Sequence, residues 1–203
     1  MNYRNLTPDE ITALVANGCI AEDWNHVWVE GALDAARVRG CTFLGEVRIG
    51  ALGDSFSVDG DLRLPHGMYH SIIDRCTVGR RVALHNVRII SRYRIGDDCL
   101  LFNIDEMTCG DDYKWMEPMN ECGGRRILPF GGMRLSDIYL WARYRDRKRL
   151  MEALEQMTRD ALQQPLSSYG HIGDACVIKN SKELHNLSVM SSAGSPTHIS
   201  GCT

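Results

Sequence analysis

The chain has 203 residues, of which 44% are hydrophobic and 24% charged, and its 23 Lys and Arg against 26 Asp and Glu leave a net charge of -3. That balance argues against a nucleic-acid binder, whose domain is normally basic enough to neutralise many phosphates. No stretch approaches the roughly 18 consecutive apolar residues of a membrane span, and the amino terminus lacks the apolar core of a signal peptide. A cytoplasmic protein with a single domain over residues 1–203 is therefore expected.

The predicted elements begin with a helix over residues 7–18. Thr7 supplies an N-cap hydroxyl, Pro8 occupies the first helical position and Glu10 stands three residues after the cap; Ile11, Leu14 and Val15 form the apolar face and Gly18 ends the segment. From 24 to 108 the sequence changes to short apolar runs broken by Gly, Asp, Asn and Arg, which read as strands and tight turns. Residues 109–133, rich in Gly, Cys, Met and Pro, form a loop. Residues 134–164 lose helix breakers and predict a helical insertion, as two helices or one bent helix, with Leu135, Ile138, Tyr139 and Ala142 and then Leu150 or Met151, Leu154, Met157 and Ala161 at helical spacing. A second strand block covers 170–203.

Internal repetition defines the architecture more sharply. Val78-Gly-Arg-Arg-Val82-Ala-Leu84-His-Asn86, Ile95-Gly-Asp-Asp-Cys99-Leu-Leu101-Phe-Asn103 and Ile172-Gly-Asp-Ala-Cys176-Val-Ile178-Lys-Asn180 share one pattern. Aliphatic residues advance by six through Ile72, Val78, Leu84 and Ile90, and after one short step through Ile95, Leu101 and Met107; the step returns at Ile172, Ile178 and Leu184. This period suits a solenoid of short flat strands with one aliphatic residue inward on each side. Cys76, Val82, Cys99 and Cys176 fill the remaining core, while the Gly and Asn positions suit sharp turns or positive φ. The expected class is mainly β, a single-stranded left-handed parallel β-helix of hexapeptide repeats with an N-terminal helix and a helical insertion. Eight cysteines without a C-x-x-C pair offer neither a zinc ribbon nor a thioredoxin-like site.

Tyr3-Arg4, Leu6-Thr7, Glu10-Ile11, Gly18-Cys19, Ala21 to Trp24, the hexapeptide block, the Asn120 to Arg125 loop and the helical insertion together resemble an uncharacterised bacterial family of interrupted left-handed β-helix proteins. That family lies within the trimeric acyltransferase-like superfamily, which also holds nucleotidyltransferase-attached domains and metal hydratases of the carbonic anhydrase type. The resemblance covers essentially the whole chain. It implies the fold, a homo-trimer and sites between subunits, and leaves the reaction open. Ending at His198–Thr203, partway through a coil, the chain is expected either to self-associate through an open edge or to be a shortened version of a longer protein.

Candidate site residues fall into two groups. In the loop, Asn120, Glu121, Gly123, Gly124 and Arg125 combine glycine amides and a guanidinium that suit a phosphate or carboxylate, although a plain glycine turn explains them equally. Among the histidines, His85 follows inward Leu84 and is expected to face outward; with His70 it is the candidate general base, as the resemblance to acyltransferases implies. The resulting expectation is binding of a nucleotide-sugar or another phosphorylated small molecule, with acyl transfer to a sugar, acyl-CoA or an acyl carrier as co-substrate and no required cofactor. The competing class is a non-catalytic scaffold. A metal hydratase using His66, His70 and His85 ranks behind both, because their spacing lacks a close pair on one strand face; no metal site, nucleic-acid partner or membrane partner is expected. The run Arg143 to Arg149 around Trp141 and Tyr144 reads as a solvated helix face. Glu22-Asp23-Trp24 reads either as a ligand contact or as a cap on the first coil.

Overall fold

The computed structural model describes residues 2–110, 126–128, 133–162 and 169–202, and for 161 and 162 the backbone only. The chain divides into two compact units, residues 1–110 with 169–203 and residues 111–168.

The first unit opens with a strand that the sequence reading did not anticipate, Tyr3–Asn5, antiparallel to Val27–Glu30. Helix α1 (Pro8–Ala16) follows, with Thr7 and Glu10 forming a reciprocal capping box. Glu10 also receives the Arg4 guanidinium at 2.6 and 2.9 Å and the Leu33 amide at 3.0 Å. Arg4 in particular holds its carboxyl at about 2. The buried face of α1 is Leu14 with Ile11 against it; Val15, expected there, is 54% exposed.

Apart from that first pair and one hairpin, the described strands pair in parallel. The strands Thr42–Leu44 and Ile72–Asp74 belong to one sheet, and Val47–Ile49, Thr77–Val78, Tyr93–Ile95, Gly170–Ile172 and Ser188–Val189 to the other. Three long strands, Ala83–Ser91, Leu100–Thr108 and Val177–His185, bend at Asn86, Asn103 and Asn180, each at φ between 52 and 55. Each therefore has a first arm stacked on Gly67–Tyr69 and a second arm stacked on Ile72–Asp74, directly or through the coil between. The backbone runs over three sides in turn: first arm, second arm, and the separate sheet. Successive coils lie 17 residues apart, as in Arg81 to Asp98. Across the insertion the offset becomes 77, as in Asn103 to Asn180, and the pairing continues unbroken. This is a mainly β fold with parallel sheets, compatible with a β-helix.

The inward residues are Ile73, Val78, Leu84, Ile90, Ile95, Leu101 and Met107, all at most 4% exposed. Two corrections follow. Ile73, not Ile72, faces the core, and the short step from Ile90 to Ile95 recurs at that corner from Ile73 to Val78 and from Leu184 to Val189, whereas the stacked pair Phe43 and Ile49 is six apart. The expected small residues do fill the core: Cys76, Cys99 and Cys176 are buried, and burial pushes their thiols up to about 12, 12 and 11. Nor do the repeat glycines serve positive φ. Positive φ falls on Arg81, Asp98 and Ala175 and on the asparagines. Gly79, Gly96 and Gly173 are instead needed for close stacking. A Cβ at Gly96 would lie 2.7 Å from the Asp174 amide nitrogen, and one at Gly79 would lie 2.4 Å from the Gly96 carbonyl oxygen. The repeat aspartates tie the same stack, Asp97 accepting from the Arg80 amide and Asp174 from the Asp97 amide, both at 2.8 Å.

The first repeat block is interrupted by an antiparallel hairpin, Phe56–Asp59 with Leu62–Pro65. It lies over the first side, where Asp59 pairs with Lys179 and the Pro65 carbonyl meets His85. Ala83 and Leu100 of that side are buried although their neighbours Leu84 and Leu101 already fill the core.

The second unit contains two helices, α2 (Leu135–Arg143) and α3 (Lys148–Leu162), inside the expected 134–164 span. Their small core is Ile127, Leu128 and Trp141 with Met133, Ile138, Met151 and Leu154 packed on it. Leu135, Tyr139 and Met157, expected on the apolar faces, are exposed, and Thr158 is buried in place of Met157. Arg143, Arg145, Arg147, Lys148 and Arg149 are exposed, as a solvated face requires. No helix among the described residues is long and apolar enough to cross a membrane.

The stacking argument predicts that Gly96→Ala lowers stability by about 1–3 kcal/mol through overpacking, read as a lower urea midpoint with unchanged slope. Ala175→Gly, which removes a Cβ from a left-handed residue, should be neutral or stabilising by up to about 1 kcal/mol. Equal stability of wild type and Gly96→Ala would refute the close-approach account.

Candidate functional site

The corner between the first and second sides carries a column of left-handed residues: Gly18, Gly40, His70, Asn86, Asn103, Asn180 and Gly201, at φ between 50 and 75. Glycine avoids Cβ strain there and asparagine tolerates it, so both are expected at such bends. His70 is the exception. Its imidazole lies over Gly40, where a Cβ would come within 2.7 Å of His70 Nδ1.

Around this exception lies an open cleft of about 380 Å³ lined by Gly40, His70, Ser71, Ile72, Asn86 and Arg88. Ile72 points here, which is why it is only half-buried and why it does not belong to the core. Ser71 is occupied, donating to the Tyr69 carbonyl at 2.9 Å and accepting from the Val87 amide at 3.0 Å. Arg88 is 69% exposed and reaches Asp105 only at 4.0 Å. The cleft thus presents one imidazole, one loosely paired guanidinium, one side-chain amide and one aliphatic wall. That set suits a small molecule with an anionic group and an apolar part.

His85 departs from expectation. It faces away from the core but is only 9% exposed. Its Nε2 donates to the Pro65 carbonyl at 2.8 Å, which fixes the proton on that nitrogen, and its ring stacks on Tyr69 at 4.3 Å. Burial pushes its pKa down, and His70 nearby adds to the effect. A neutral, covered imidazole holding down a hairpin is a structural element, so of the two expected bases only His70 is exposed to solvent. His66 is likewise buried, with Ser55 Oγ at 3.5 Å from its Nδ1, and burial lowers its pKa. Among the described residues no three His, Cys, Asp or Glu side chains gather to hold a metal ion.

Asn120, Glu121, Gly123, Gly124 and Arg125, with Cys122, lie outside the described residues. The Glu22-Asp23-Trp24 segment is a cap: Asp23 accepts from the Asn25 amide at 2.9 Å, Glu22 accepts from Gly45 at 3.1 Å, and Trp24 packs on Phe43. Sequence reasoning missed Arg88, Asn86 and Gly40 as cleft residues. The signal available was His70 standing where neighbouring coils carry Asn or Gly.

A mainly β protein of stacked parallel strands with a polar cleft at a corner is the class that fold and geometry define. The chain belongs to the family described as Domain of unknown function (DUF4954), whose model matches residues 3–202. It is 33% identical over 230 residues to an uncharacterized protein of Treponema pallidum (strain Nichols), an alignment covering 97% of this chain and 32% of that protein. The chain therefore spans about a third of the length of the curated relative it matches. No solved structure matches it.

The two buried histidines carry a pH prediction. Their folded pKa values lie below the ordinary 6.5, so as pH falls below about 6.5 the unfolded chain takes up protons that the folded chain refuses. Stability present at neutral pH should decline between about pH 6.5 and 5. His85→Gln keeps a donor for Pro65 without a titrating ring, so its urea midpoint should fall less over that range. An identical decline in wild type and variant would contradict the assignment.

Proposed function

We propose that this chain is a left-handed parallel β-helix domain of hexapeptide repeats and that the His70 cleft binds a phosphorylated small molecule, a nucleotide-sugar being the leading class. The observation that carries the reading is the convergence of His70, Asn86 and exposed Arg88 on one cleft of about 380 Å³. Handedness is supported by the six-residue period and the column of positive-φ corners. The phosphate would be held by Arg88. In the catalytic form His70 takes a proton from an acceptor hydroxyl or amine while acyl-CoA or an acyl carrier supplies the acyl group. A homo-trimer in the cytoplasm is the setting that the family resemblance implies.

The second reading is a non-catalytic scaffold. It is favoured by one observation, that the stack is tied coil to coil by ion pairs such as Arg81–Asp98 and Arg80–Glu30, which supply rigidity alone.

A thermal-shift screen of nucleotide-sugars, sugar phosphates and acyl-CoA separates the two. Ligand at a hundred times its dissociation constant stabilises the folded state by about 2.7 kcal/mol, so a binder shows an upward shift of several degrees. Arg88→Ala and His70→Ala should each abolish it. No shift with any ligand supports the scaffold.

A further inference from the structure

A second cluster stands at the far end of the second side, away from the cleft. The strand Val177–His185 stacks on Leu100–Thr108 with Thr108 opposite His185 and Glu106 opposite Glu183. Alternation along the strand puts residues 183 and 185 on one face. Thr108 Oγ1 lies 2.6 Å from His185 Nδ1, and His185 Nε2 is paired with Glu183 Oε1. One neutral tautomer satisfies both contacts: Nε2–H donates to the carboxylate and the unprotonated Nδ1 accepts from the hydroxyl. The result is a hydroxyl–imidazole–carboxylate relay, with the carboxylate fixing the ring so that its free lone pair meets the hydroxyl.

Three features separate this arrangement from an ordinary surface network. It is confined to one coil step, since in the same column Ser91 donates to the Asp74 carboxylate at 2.6 Å with no imidazole between them. The His185 side chain is 25% exposed, so a reagent can reach it. The competing acceptor for Thr108, Glu106 Oε1, is farther away at 3.4 Å.

The geometry points to Thr108 as a nucleophile activated by His185 as base, with Glu183 as positioning residue, acting on uncharged activated acyl esters. Uncharged donors are favoured because the Glu106 carboxylate stands beside the hydroxyl and repels anions. Thr108 Oγ attacks the acyl carbon and its proton passes to His185 Nδ1. The bond to the leaving oxygen then breaks, releasing the alkoxide and leaving acyl-Thr108; the imidazolium gives its proton to solvent. Water attacking the acyl-threonine, deprotonated by the same imidazole, returns the hydroxyl and a carboxylic acid. This site does not depend on the ligand reading of the cleft, which shares none of its residues.

The probe is p-nitrophenyl acetate on the full chain, read as nitrophenolate release and as an acetyl adduct mapped by mass spectrometry. Acetylation at Thr108 is expected, with a rate that climbs with pH. Thr108→Ser should retain the adduct, Thr108→Val should lose it, and His185→Gln should slow it by roughly a hundredfold and flatten the pH profile. Glu183→Gln should slow it about tenfold while leaving the melting temperature near wild type. Adducts on lysines alone, or Thr108 acetylation unchanged in His185→Gln, overturn the proposal.

Discussion

A chain that continues from one parallel strand into another at an angle must place a residue at the bend, and here that residue is left-handed. For most side chains this conformation costs about 1–2 kcal/mol because Cβ crowds the following carbonyl. Glycine escapes the cost and asparagine reduces it, which accounts for Gly18, Gly40, Asn86, Asn103, Asn180 and Gly201 at the corner between the first two sides. Once these bends recur, the inward positions follow. Val78 to Leu84 to Ile90 advances by six, and the tighter third corner shortens the step to Ile95. The 17-residue offset between coils is the outcome of that geometry.

Stacking adds a second constraint that the bends alone do not impose. Coils approach so closely at Gly50, Gly79, Gly96 and Gly173 that no side chain fits. Where the coil leaves a narrow gap inside, a thiol fills it without demanding a strong hydrogen-bond partner. Cys76, Cys99 and Cys176 occupy such gaps, and their raised pKa values make them poor nucleophiles. Tyr93 shows the limit of the arrangement. Its ring presses so near Gly170 that a Cβ there would lie 2.2 Å away, and its hydroxyl accepts from the Leu187 amide at 3.0 Å. The residue that re-enters the stack after the insertion is therefore glycine for steric reasons.

Local repetition was legible because it is local. Nine-residue copies at 78–86, 95–103 and 172–180 placed the coils, their core cysteines and the bend asparagines without reference to anything distant. Errors arose where two adjacent residues compete for one role. Ile72 and Ile73 are equally aliphatic, and only the register with Ile90 shows which one faces inward. Met157 and Thr158 in α3 pose the same problem, with hydropathy favouring the residue that turns out exposed. The hairpin over Phe56–Pro65 belongs to no repeat, so nothing in the sequence announced that it would cover His85. Thr108 and His185 are 77 residues apart and meet only because the insertion preserves the coil register.

That preserved register links the two sites to the fold. Both depend on departures from the repeat at positions where the backbone is already fixed by neighbouring coils. At the bend, His70 replaces the usual Asn or Gly and brings an imidazole to a corner that otherwise carries glycines and asparagines. On the second side, His185 replaces the hydroxyl or carboxylate found at Ser91 and Asp74 in the same column. A stack held by inward aliphatics, close glycines and aspartate–amide bonds tolerates such outward changes because none of its own contacts is given up. The side chains that could carry chemistry thus stand at exceptions to the repeat, and the parallel ladder supplies the fixed spacing that lets an imidazole meet a hydroxyl at 2.6 Å.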